Sequence, residues 1–234
     1  MMYLELGWVP IIYLIKARCL LYLHYILNES EESMIYRFLQ IQLSSPLRGD
    51  WALSVKSDLC ELKLDQYSFE DIKSLSKEQF RKIVHDAIQR EAYKYLIQKK
   101  NLQSKIRHIE YQSLAMQPYL KSNNVINSYA KFHFKARSSM LNLRGNFKSQ
   151  HKESNFCQSC LDETKVESQF HLYHCDTLAS SEICEGIVPY DALFGDDLEK
   201  QLIVSRILNK RMERRDQLIK SREENQSHSL VGSR

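Results

Sequence analysis

Cys157-Gln-Ser-Cys160, ten further residues, then His171-Leu-Tyr-His-Cys175 is the stretch whose reading decides how the surrounding chain folds. Two thiolates two residues apart can both turn inward on one tight loop and hold a single ion. His171 and Cys175 are four apart, so on a helical turn they face the same way. Together they supply four soft or borderline ligands to a tetrahedral site, which suits zinc at about 2.3 Å from sulfur and about 2.0 Å from nitrogen. Four protein ligands leave no open position, so the expected site is structural and not hydrolytic. Phe156, Leu161, Phe170 and Leu172 are nearly all that so short a segment can bury, and metal binding would supply much of its folding free energy. The bland alternative is a chance cluster of reduced cysteines. His174 is the nearest rival ligand, but it would project about 100° away from Cys175 on a helix. Cys184 and His151 are weaker substitutes. No βαβ pattern surrounds the paired cysteines, which argues against a redox motif.

Outward from this segment, the 234-residue chain is long enough for one sizeable domain or two small ones. Hydrophobic residues make up 43% and charged residues 26%, which excludes wholesale disorder. Six glycines and four prolines provide few turns, so helices are expected over a β-sandwich. The six cysteines do not form a secreted disulfide framework: Cys19 and Cys60 lie far apart in apolar stretches, and three others cluster near His171. That pattern points to a reducing compartment, nuclear or cytoplasmic, and to a metal. Leu6–Ile15 is uncharged, but Lys16 and Arg18 break the run well short of the roughly 20 residues a membrane span needs. Glu5 and the bulky neighbours fit no signal peptide. No membrane association is expected.

Helix signals cover most of the chain. Pro10 suits a first helical position, and the helix to about Leu27 is apolar all round, so both of its sides should be covered. A chain opening on such a core helix is expected to have lost a packing partner upstream. Asn28 or Ser30 can cap a helix from Glu31 to about Leu43, and Trp51–Leu64 reads as a short helix. Ser68 opens Phe69–Leu75. Ser76-Lys-Glu-Gln79 is a capping box before a helix to about Lys100, with Phe80, Val84, Ala87, Ile88, Ala92 and Tyr95 on one stripe. A helix is expected across Tyr129–Leu143 with Phe134 and Leu141 in the core and Gly145 as its stop. Asp197–Arg222 reads as the last helix. The expected fold class is mainly α: a helical region over 1–150, a small zinc-binding module over 151–180, a C-terminal helical segment over 181–224 and a disordered tail over 225–234.

Net charge is only +4, but it is uneven. Residues 92–109 carry five Lys or Arg and no acid. Residues 131–152 carry Lys131, Lys135, Arg137, Arg144, Lys148 and Lys152, again with no acid. Such blocks can hold RNA or DNA, or can be plain solvated helix faces. The six cations of the second block, beside Phe132, Phe134 and Phe147, are the candidate nucleic-acid contacts. Phe194-Gly-Asp196-Asp197 imitates the aromatic-x-Asp-Asp motif of reverse transcriptases. The residues after it have helical spacing, so the two acids read as helix N-terminal residues favoured by the macrodipole. No Gly-rich phosphate loop, nucleophile elbow or HExxH is present, and His24, His85, His108 and His133 stand alone. No catalytic residue is expected.

Leu4-Glu-Leu-Gly-Trp-Val-Pro-Ile-Ile-Tyr-Leu-Ile-Lys-Ala-Arg18 and Tyr22-Leu-His-Tyr-Ile-Leu-Asn28 resemble the region after the reverse transcriptase domain in LINE-type (non-LTR) retrotransposon polyproteins. So do Tyr36-Arg-Phe-Leu39, Gly49-Asp-Trp51 and Met116-Gln-Pro-Tyr-Leu-Lys121. The cysteine-histidine segment resembles that family's carboxy-terminal zinc-binding module. The likeness runs over nearly the whole chain. It implies a post-polymerase region over 1–150, zinc on Cys157, Cys160, His171 and Cys175, and a non-catalytic fragment that binds RNA or DNA. The parent polyprotein would be an RNA-directed DNA polymerase and endonuclease. The alternative is a zinc-stabilised helical protein–protein interaction module.

Overall fold

The computed structural model describes residues 2–103, 105–107, 109–121, 127–147, 155–178, 189–195 and 197–231. Among these the fold is mainly α, with one isolated β-bridge, Phe156 to Val166, and no longer strand. The chain forms two compact units, residues 2–100 with 111–115, and residues 101–110 with 116–234. Each has its own hydrophobic core.

The first unit holds α1 (Met2–Leu6), α2 (Ile11–Leu27), α3 (Met34–Ser44), α4 (Trp51–Glu61), α5 (Phe69–Ser74) and most of α6 (Lys77–Asn101). Local chemistry sets the starts. The Ser76 hydroxyl accepts from the Gln79 N–H and the Gln79 side chain accepts from the Ser76 N–H, so the expected box caps α6. Ser68 and Asp71 form a second box ahead of α5. α3 is capped by Ser33, not by Asn28 or Ser30, because a turn through residues 30–33 delays the helix. Phe80, Val84, Ala87, Ile88 and Ala92 of α6 are buried against Leu20, Leu23, Val55 and Ile72; Tyr95 is exposed.

α2 departs from expectation. Leu20, Leu23 and Leu27 are buried, but Ile11, Ile12, Leu14 and Ile15 stay exposed, so the helix is covered on one side and not on both. The lysine that interrupts its apolar run points inward: the Lys16 ammonium is buried between Asp58, at 3.0 Å, and Glu61. Such a pair satisfies the charge where an apolar side chain would otherwise sit.

The second unit holds α7 (Pro118–Lys121), α8 (Asn127–Arg137), a 3-10 turn (Arg144–Phe147), α9 (Gln169–His174), a 3-10 turn (Asp176–Leu178), α10 (Pro189–Phe194) and α11 (Leu198–Val231). α8 ends six residues before the expected last residue, Leu143. Ser138 returns its hydroxyl to the Phe134 carbonyl and Ser139 adopts φ 53°, which turns the chain out of the helix. Phe134 is half-buried and Leu141 fully buried. α8, α9 and α10 pack against α11. Gly145 is not a helix stop. It donates its N–H to the Glu167 carbonyl, and a Cβ there would lie 2.4 Å from that oxygen.

The compact units divide the chain near residue 100, and the cysteine-histidine segment shares its core with the helices after it: Cys157, Leu172 and Cys175 pack with Leu193, Val204 and Leu208. α11 runs to Val231, through much of the segment expected to fray; residues 232–234 lie outside the described residues. Among the described residues no helix is long and apolar enough to cross a membrane.

Candidate metal centre

The cysteine-histidine site is assembled from two local structures. The first is a tight turn. Cys157 enters it from a backbone pairing in which its N–H meets the Lys165 carbonyl. The Ser159 N–H points at Cys157 Sγ at 3.4 Å, and the Leu161 N–H closes on the Cys157 carbonyl with Leu161 at φ 58°. That geometry brings Cys160 Sγ back beside Cys157 Sγ. The second is α9, which Ser168 caps by accepting the His171 N–H, so that His171 sits in the first turn and Cys175 just past the last.

The Sγ atoms of Cys157, Cys160 and Cys175 and a ring nitrogen of His171 all lie within 4.8 Å of one another. Cys157 Sγ and Cys175 Sγ are 4.0 Å apart, and Cys160 Sγ and His171 Nε2 are 3.5 Å apart. Ligands at zinc-like bond lengths in a tetrahedron would be separated by about 3.8 Å between sulfurs and about 3.6 Å from sulfur to nitrogen. The four sequence-expected residues therefore form a cluster able to hold a metal ion. His174 is exposed, away from the cluster, and Cys184 and His151 lie outside the described residues.

Electrostatics agree with this geometry. Burial, together with the neighbouring Cys157 and Cys160, pushes the Cys175 thiol up to about 11, and burial likewise raises Cys157. Three thiols this close cannot all ionise without a cation among them. Burial lowers the His171 pKa and keeps its imidazole neutral, the form that binds metal.

A second layer of contacts, not anticipated from the sequence, ties this site to α11. Arg211 donates to the carbonyls of Leu172, at 3.0 Å, and Cys175, at 3.3 Å. Arg222 donates to the carbonyls of Gln158 and Ser159 in the cysteine turn. Between them Arg215 grips buried Glu167 with two parallel bonds of 2.8 and 2.9 Å. Glu167 also accepts the N–H groups of Arg144 and Gln158. The spacing 211, 215, 222 places the three arginines on one helix face. That spacing was visible in the sequence, but a stripe of arginine reads as solvated until its partners are known.

The expected nucleic-acid contacts separate. Lys131 and Lys135 are exposed on α8, and Arg144 is half-buried. Arg137 is fully buried. Its guanidinium donates to the Leu193 carbonyl at 2.8 Å and lies over the rings of Tyr119 and Phe194, so it is a core residue and no phosphate contact. Lys148 and Lys152 lie outside the described residues, as does Asp196. Asp197 lies at the start of α11, the helix N-terminus expected of it, and caps the helix by accepting the Lys200 N–H at 3.1 Å.

No family model, curated protein or solved structure matches the chain.

Proposed function

We propose that this chain is a zinc-stabilised, nucleic-acid-binding helical module, equivalent to the C-terminal region of a LINE-type retrotransposon polyprotein. It binds RNA or DNA, in the nucleus or cytoplasm, and does not itself catalyse. The observation that carries the reading is the four-ligand cluster sharing a core with α8, whose opposite face exposes Lys131 and Lys135 in an acid-free block. Zinc is the ion of choice for three thiolates and an imidazole with no open position. It would fix the turn at 157–160 and α9 in place. Exposed lysines neutralise phosphate, and the Lys105 ammonium over the Phe147 ring, at 4.4 Å, adds a cation and an aromatic surface within the same unit.

The purified chain should carry about one zinc, lost in Cys160→Ser. Its affinity for single-stranded RNA should fall with salt by a log–log slope of roughly −0.7 per phosphate contacted, and Lys131→Ala with Lys135→Ala should flatten that slope by about one to one and a half units. Affinity that ignores salt would sink the reading. The protein-interaction alternative rests on the exposed apolar side of α2, and would then be the better one.

A further inference from the structure

Beside the cysteine turn lies a cavity of about 440 Å³ lined by Asn142, Arg144, Gln158, Arg215, Ile219 and Glu223, with Asp216 and Lys220 at α11. Its walls come from three stretches: the loop after α8, the metal-site turn and α11. One buried carboxylate joins them. Glu167 accepts the N–H of Arg144 and the N–H of Gln158 while holding Arg215, and Arg222 holds the Gln158 carbonyl from behind. The backbone of the Arg144 and Gln158 segments is therefore fixed before any ligand arrives, and Arg215 also holds Asp216, at 2.6 Å.

Their chemistry is mixed in a way that narrows the ligand. Arg144 and Lys220 suit a phosphate. A bare phosphate, however, would also meet the carboxylates of Asp216 and Glu223, which repel it. Carboxylates accept from amino and imino N–H groups, and the carboxamides of Asn142 and Gln158 can both donate and accept at a base edge. Ile219 offers an apolar surface to a ring face. The volume falls within the range of about 300–1,000 Å³ common to small-ligand sites. A ligand that carries an anion at one end and a flat edge with N–H donors at the other matches this mixture of cations, carboxamides and carboxylates.

We infer that this cavity takes one unpaired nucleotide of an RNA strand, with its phosphate toward Arg144 and Lys220 and its base edge on Gln158, Asn142 and Glu223. This rests on the nucleic-acid reading above and adds base preference to it. A base with an exocyclic amino group, such as cytosine, places a donor on the carboxylate. Uracil has a carbonyl at that position and loses the bond.

The test uses the full zinc-loaded chain and fluorescein-labelled ten-nucleotide oligocytidine and oligouridine, compared by fluorescence anisotropy at one salt concentration. Oligocytidine should bind about ten-fold more tightly. Gln158→Ala and Glu223→Ala, on separate segments, should each bring the ratio towards one while zinc content stays at one per chain. Lys131→Ala with Lys135→Ala should weaken both oligomers together and keep the ratio. Equal binding of the two oligomers by the wild type, with the salt slope intact, overturns the pocket and leaves the electrostatic reading standing. A ratio unmoved by either cavity variant also overturns it. No binding of either oligomer sinks both.

Discussion

Glu167 has almost no exposed surface, and its two oxygens receive four N–H donors, from Arg144, Gln158 and twice from Arg215. Burial alone would raise its pKa; the Arg215 hydrogen bonds and charge and the two backbone donors outweigh that and hold it below the ordinary carboxylate value. Its contribution to stability is therefore complete above the ordinary pKa and is lost as pH falls through the lower folded one. Glu167→Gln leaves the buried Arg215 charge with only the exposed Asp216 as its carboxylate partner and should cost about 3–5 kcal/mol in urea unfolding. A loss under about 1 kcal/mol would mean that the pair adds nothing a neutral amide cannot replace. His133 acts over a different pH window. Burial, helped by the nearby Arg137 charge, lowers it from 6.5 to about 3, and its ring packs 4.4 Å from that of Tyr119 beside the Ser205 hydroxyl. A depressed histidine stabilises above its unfolded pKa, so this contribution declines as pH drops from about 6.5 towards 3. His133→Gln should flatten stability against pH between 5 and 6.5 relative to wild type, and parallel curves would refute the assignment. Neither role was legible beforehand. Residue type reveals that a group can ionise; only its surroundings say which form is favoured.

α11 has two kinds of surface, and three arginines on one of them hold the metal site. Arg211 and Arg222 donate to backbone carbonyls on either side of the cluster, at the end of α9 and in the cysteine turn. Such contacts orient ligands without touching the ion, and losing one commonly weakens metal binding by about 10–100-fold. Arg222→Ala should do so in chelator competition, whereas Arg206→Ala, on the exposed side, should leave affinity unchanged. Equal behaviour of the two variants would show that α11 does not support the site. At this scale much was readable. The boxes at Ser76 and Gln79 and the cap at Asp197 use partners three residues apart, so local spacing is sufficient. The end of α8 was not readable, because apolar spacing continues past Ser138 while the chain turns to reach Glu167 through Arg144 and Gly145.

Two separate cores make the whole molecule's response to metal uneven. The ligands belong to the core of Leu172, Val204 and Leu208, and the core of Leu20, Val55 and Val84 contains none. Chelation should lower one thermal transition and spare the other. Leu20→Ala, which removes a fully buried side chain, should do the reverse at a cost of about 2–5 kcal/mol. A single transition shifted by both treatments would contradict separate cores. The sequence by itself determined the helical class, the capped start of α6 and the four residues of the cysteine-histidine cluster, because each depends on residues a few positions apart or on a residue set with one compatible geometry. Tertiary structure alone decided that Arg137 is buried, that α2 leaves one apolar side open and that the metal site is built onto α11. Those outcomes depend on contacts between distant segments. An arginine facing a carbonyl 56 residues away and one facing solvent are written with the same letter.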